Sequence, residues 1–218
     1  MKLNPFFTIS KEESVAKAKA QLESVDIKYS EEGHKNVLTF IVPTPSGMDE
    51  ATGLYAMGMS LHVDDPREWG ITGLFVMDKG DHVETWEPED KEHIDTGKFK
   101  RFLYEIDQNL TYGHLQWTGQ NLGFRDVIPI NEGLIEYLVK VVTELCAVFA
   151  LLTKWETLNV DDPDGINKLW NVTKQMGLLA AIKHRMEDKD ANPLSGIDAR
   201  PDTGEPEEDS NKGDKNDN

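Results

Sequence analysis

The sequence is short of cysteine, of positive charge and of unbroken apolar runs, and each shortage removes a class of protein. Cys146 is the single cysteine in 218 residues. No intramolecular disulfide can form, which fits a reducing compartment. Lys and Arg number 23 against 40 Asp and Glu, a formal net charge of -17. An acidic surface repels phosphate, so nucleic acids and anionic membranes are both disfavoured as partners. Basic segments of other proteins are the partners this charge favours. The one apolar stretch of bilayer length, Leu134 to Leu152, is interrupted by Glu136, Lys140 and Glu144. Those three sit four residues apart, on one helix face, with signs that attract. Three charges turned to lipid would be costly, so the stretch reads as a buried amphipathic helix with one solvated stripe. At the start, Lys2 and Phe6-Phe7 soon give way to Ser10-Lys11-Glu12-Glu13. That is not the basic-then-apolar order of a secretion leader. The expectation is a cytoplasmic protein with no membrane span.

Recognised chemistry is also missing. There is no phosphate-cradling GxGxxG or Walker loop and no Gly-x-Ser-x-Gly elbow. The histidines, His34, His62, His82, His93, His114 and His184, lack the paired spacing of zinc sites. His62 with Asp64, and His82 with Glu84, are two apart and would share a strand face. Each pair fits a weak metal contact or plain solvated polar residues. Asp161 to Gly165 resembles a fragment of a calcium loop, but with Gly165 at the glycine position Val160 and Asn171 fall where carboxylates are needed. It reads as a turn and helix cap. Glu84, Glu87, Glu89, Asp90 and Glu92 crowd around Trp86 and read as a solvated loop. The expectation is a chain without catalytic residues, cofactor or metal. The alternative is a metal-dependent enzyme whose site is assembled from scattered His, Asp and Glu.

What is present is a patterned body and an unpatterned tail. Ser10 and Glu13 have capping-box spacing, and Val15, Ala18, Leu22 and Val25 continue at helical spacing to Ser24. Ile27 and Tyr29, then Asn36 to Val42, read as a hairpin across Glu31 to Lys35, ended by Pro43 and Pro45. Leu54 to Val63 alternates as a strand, Asp64-Asp65-Pro66 turns it, and Ile71 to Met77 is the next strand. Phe99, Phe102, Leu103, Ile106 and Leu110 mark a helix that Asp95 or Thr96 can cap and Gly113 can end. His114 to Thr118 and Leu122 to Ile128 form a second hairpin across Gly119-Gln120-Asn121. Asn131 can cap a long helix from about Glu132 to Glu156. A last helix, Ile166 to Met186, has an apolar face through Ile166, Leu169, Trp170 and Leu178 and reads as peripheral. From Glu187 onward there are 11 acidic and 4 basic residues, so 7 of the 17 excess negative charges sit there and 10 on the rest. This stretch has too little apolar surface to offset the entropy of ordering, and disorder is expected.

The fold class is therefore α+β: an antiparallel sheet with helices packed on it, in the order helix, three to four strands, helix, strand hairpin, long helix. An α+β domain over 1–160, a peripheral helix over 161–186 and a disordered acidic tail over 187–218 divide the chain. The residues that point to function are apolar. Tyr55, Met57, Met59 and Leu61 share one strand face, and methionine suits surfaces that accept varied partners. The same face fits a core under a helix. Trp69 and Trp86 sit in turn-like segments, where aromatic side chains are contact candidates. These six are the expected partner-binding residues.

One run carries a resemblance. His114-Leu115-Gln116-Trp117, then Leu122-Gly123-Phe124-Arg125-Asp126-Val127-Ile128-Pro129, then Asn131 to Leu152 resembles the hairpin and last core helix of the YbjN family and the type III secretion chaperone-like fold. The resemblance in element order covers Ser10 to Glu156. The stretch from Pro43 to Gly53 departs from that compact pattern. The resemblance implies a non-enzymatic domain, often dimeric, that holds an extended segment of another protein in a chaperone- or adaptor-like way. It transfers no individual binding residue. The partner is expected to be a protein, with basic segments favoured and a homodimer left open.

Overall fold

A computed structural model describes residues 9–31, 36–45, 47–65, 67–80, 82–87, 97–117, 121–130, 133–159 and 161–187. The expected tail, the Asp95, Thr96 and Asn131 caps, and most of the two hairpin turns lie outside the described residues, as do His34 and His93. Ser10 caps the first helix, α1 (Lys11–Glu23). Its hydroxyl accepts from the Glu13 amide and the Glu13 carboxylate accepts from the Ser10 amide. Both halves of the capping box read from the sequence are formed. The chain then runs through β1 (Tyr29–Glu31), β2 (Val37–Pro43), α2 (Met48–Thr52), β3 (Ala56–His62), β4 (Glu68–Asp78) and β5 (Val83–Thr85). It continues through α3 (Gly97–Asp107), β6 (His114–Trp117), β7 (Leu122–Pro129), α4 (Leu134–Leu152), a 3₁₀ turn at Trp155–Thr157, and α5 (Pro163–Glu187).

All seven strands join one antiparallel sheet in the order β1-β2-β3-β4-β7-β6, with β5 also on β4. β4 is the longest strand, and its two ends serve different neighbours. Glu68 to Leu74 pair with β7, and Val76 to Asp78 pair with β5. The class expected from the sequence, helices on an antiparallel sheet, is what the chain adopts. The finer order differs in three places. The segment after Pro43 contains the short helix α2, held between Gly47 and Gly53, both with left-handed backbone. β5 is an additional strand. β4 begins at Glu68 rather than Ile71, so Trp69 belongs to a strand and not to a turn.

Alternation along the strands sorts side chains onto two faces. One face meets the helices. Leu38, Phe40 and Val42 of β2, Met57, Met59 and Leu61 of β3, and Trp69, Ile71 and Phe75 of β4 are buried there. They form one core with Ala18 and Leu22 of α1, Phe99, Phe102 and Ile106 of α3, and most of α4. Phe149 of α4 stacks on Phe75 with ring centroids 5.7 Å apart. The last helix also enters this core: Ile166 and Trp170 of α5 are buried. Among the described residues no helix is long and apolar enough to cross a membrane, and α4 keeps the charges that argued against a span.

Candidate functional site

Five of the six expected contact residues are interior. Met57, Met59, Leu61 and Trp69 have no exposure, and Trp86 is 7% exposed. The methionine-rich face of β3 is the face turned to the helices, so its adaptability serves packing. The Met59 thioether lies where Gly73 leaves room: a Cβ on Gly73 would come within 2.7 Å of the Met59 sulfur. Trp69 donates its indole N–H to Ser14 Oγ at 2.8 Å, which satisfies a buried donor and ties β4 to α1. Trp86 follows β5 and packs edge-on against Phe149, with centroids 6.3 Å apart. Tyr55 is half-buried, and its amide donates to the Val76 carbonyl. The structure gathers these residues into the core and offers none of the five buried ones to a partner.

The other sheet face is where the chain presents itself. Register lines its side chains in rows across the strands. Ile41, Gly58, Leu74, Gly123 and Gln116 form one row. Thr39, Ser60, Thr72, Arg125 and His114 form the next. Val37, His62, Gly70 and Val127 form a third. Leu74 is 36% exposed and Val127 45%. The glycines do not leave holes. A Cβ on Gly123 would meet Leu74 Cδ2 at 3.6 Å, and one on Gly58 would meet Val76 Cγ2 at 3.6 Å. Leu74 and Val76 therefore lean over their glycine neighbours and smooth the surface. None of the three rows contains an Asp or a Glu. In a chain with 40 acidic residues, that is a selective gap. Arg125 stands exposed in the middle row, with no carboxylate paired to it among the described residues.

The buried carboxylate of the fold has structural employment. Glu144 of α4 is 2% exposed. Its Oε2 accepts from the amides of Thr111 and Tyr112 at 3.0 and 3.1 Å, and its Oε1 receives Lys174 Nζ at 2.6 Å. One buried carboxylate thus fixes the α3–β6 connection and docks α5. Asp126 accepts from the Tyr137 hydroxyl. His82 lies 3.6 Å from Glu84, which also receives Lys79 at 3.1 Å. The hydrogen bond from Lys79 is the main reason the Glu84 carboxyl is held below the usual carboxylate range. His62 and Asp64 are exposed at the end of β3. Among the described residues no three His, Cys, Asp or Glu side chains gather as a metal-binding group.

Cys146 is fully buried in α4, and loss of solvation pushes its thiol up to about 12. A thiol reacts as its thiolate, and an ordinary cysteine titrates near ~8.5. Native protein in mildly alkaline buffer is therefore expected to leave a thiol-reactive dye uncoloured, with one equivalent reacting once urea is added. Full reaction before unfolding would contradict this placement.

No family model, no curated protein and no solved structure matches this chain.

Proposed function

We propose that the chain is a non-enzymatic protein-binding module that holds an extended segment of a partner protein across the open face of its sheet. The observation that carries this reading is the acid-free centre of the outer face, apolar at Ile41, Leu74 and Val127 and flanked by Glu68 and Asp78 at the ends of β4, within a protein of net charge -17. Carboxylates are spread over most of the sequence and missing from this one lattice. The occupant that fits has apolar side chains along its middle and a carboxylate opposite Arg125. Basic residues at its ends meet the acidic surroundings. The resemblance of the His114 to Leu152 run to YbjN-type and secretion-chaperone domains points the same way, towards holding a segment rather than transforming a substrate.

The test places a photo-crosslinking amino acid at Leu74 and identifies the captured peptide by mass spectrometry. The matching synthetic segment is then titrated by calorimetry against the native chain and Leu74→Glu. The side chain is exposed, so the substitution leaves the fold intact. A loss of binding of about tenfold, roughly 1.4 kcal/mol, is expected from a charge in the contact's apolar centre. Equal affinity for the two proteins would remove the sheet face from the interaction.

A further inference from the structure

The last helix has two working sides, and among the described residues only one of them is used within the chain. Its inner side is fastened to the body. Ile166 and Trp170 are buried, Lys174 reaches Glu144, and Gly177 admits Met48 of α2 so closely that a Cβ would stand 2.5 Å from the Met48 methyl. On its outer side Leu169, Val172, Met176 and Leu179 are 43%, 53%, 63% and 64% exposed. Their spacing of three, four and three residues is that of a two-helix seam. Isolated exposed apolar residues are ordinary, whereas a continuous stripe of four on one helix is not.

We infer that this stripe pairs with the same stripe of a second copy, the two α5 helices lying antiparallel about a twofold axis near Lys174 and Gln175. Three observations select this occupant. From Gly165 to Met186 the helix has Lys168, Lys174, Lys183 and Arg185 and no acidic residue, so two strongly acidic molecules meet where neither presents carboxylates. The helix is also polarised along its length. Asp162 and Asp164 stand at its start, beside the positive end of its peptide dipole. An antiparallel pair keeps the two acidic starts apart, which a parallel pair does not. It also opposes the helix dipoles. In this register Leu169 meets Leu179 of the other copy and Val172 meets Met176, so every stripe residue is covered. A helix of 25 residues is roughly 37 Å long. The stripe from Leu169 to Leu179 occupies about 15 Å of that length. This inference is independent of the sheet face.

Sedimentation velocity of the full chain tests it. The native protein is expected to run at twice the 24.6 kDa of the chain, and Val172→Glu/Met176→Glu as a single chain with an unchanged melting curve. Leu74→Glu, on the sheet face, is expected to keep the doubled mass. Orientation is read by cysteine cross-linking against a quiet background, since Cys146 is buried. Gln175→Cys, beside the axis, is expected to give a disulfide-linked pair on mild oxidation. Leu179→Cys is expected to give none, its counterpart lying ten residues away along the partner, about 15 Å. A native chain that stays single at all concentrations, or a double mass that survives the glutamates, overturns the proposal. So does loss of the pair in Leu74→Glu, or cross-linking at Leu179 in place of Gln175. Cosedimentation of a single-chain protein with phosphatidylserine vesicles would assign the stripe to lipid and overturn it as well.

Discussion

Glu144→Ala is expected to lower the stability of the protein by about 3–5 kcal/mol, the scale seen when one partner of a buried charge pair is removed. The carboxylate has two amide donors and one ammonium group to satisfy and is 2% exposed. Without it the Thr111 and Tyr112 amides lose their acceptor, Lys174 loses its counter-charge, and α5 loses its polar tether to α4. Glu144→Gln keeps the volume, but a single oxygen cannot serve both sides. If it faces the amides, its NH₂ meets Lys174. If it faces Lys174, its NH₂ meets two donors. Its cost is expected to fall between that of the native residue and alanine. Urea unfolding monitored by tryptophan fluorescence measures both. A shift below about 1 kcal/mol for the alanine variant would mean that the carboxylate contributes no more than a surface pair.

Gly113→Ala is the second large effect, through geometry rather than charge. Gly113 has φ +57°, where a side chain costs roughly 1–2 kcal/mol. Its Cβ would also stand 2.4 Å from the Arg125 carbonyl oxygen and 2.6 Å from the Phe124 ring. A backbone oxygen cannot rotate away as a side chain can, so β6 must separate from β7 at its first pair, His114 with Arg125. Adding overpacking of about 1–3 kcal/mol, the expected total is about 3 kcal/mol or more, a fall in melting temperature of roughly 6–12 °C for a chain of this size. Gly80→Ala is the control. Gly80 also has a positive φ, +88°, but a Cβ there would meet nothing within 4 Å. It should show the conformational cost alone. Similar losses at the two positions would refute the close approach at Gly113.

Both positions show where reading the chain succeeds and where it stops. Gly113 was recognisable as punctuation, and its expected role was to end the helix before it. In the fold that helix stops at Asp107, and the glycine instead admits the next strand to its neighbour. Glycine signals that something unusual happens to the backbone, without saying which long-range contact demands it. Glu144 was legible as one of three like-spaced charges on a helix, and those three were taken together as a solvated stripe. Glu136 and Lys140 do sit outside, paired at 2.6 Å, whereas Glu144 faces inward to loop amides 32 and 33 residues upstream. Local spacing carries no information about that loop.

The sheet repeats the lesson. Alternation correctly placed Tyr55, Met57, Met59 and Leu61 on one face of a strand, but period-two patterning does not say which face a helix will cover. The small residues Gly58 and Ser60 alternate with them and stand on the outward side. Trp69 was read as a turn residue because Asp64-Asp65-Pro66 precedes it and Glu68 and Gly70 flank it. The alternation Trp69, Ile71, Gly73, Phe75 was broken to the eye by the glycine that makes room for Met59. α2 was invisible for a simpler reason: five residues are too few to display a helical period. By contrast the capping box of α1 and the apolar face of α3 from Phe99 to Ile106 are local patterns that folded as they read, although Leu110 falls beyond the end of the helix at Asp107.

The margins of the sheet carry a consequence for how the molecule behaves in a crowded solution. The outermost strands are among its shortest, β1 with three residues at one side and β6 with four at the other. Glu31, the last residue of β1, is also engaged by Lys19 of α1. Among the described residues, an incoming chain looking for an unpaired backbone ladder finds three or four rungs on these strands. Strand-by-strand polymerisation, the usual hazard of an open sheet, is starved at both ends. The protein can therefore keep an open, partly apolar sheet face uncovered without its margins seeding a fibre.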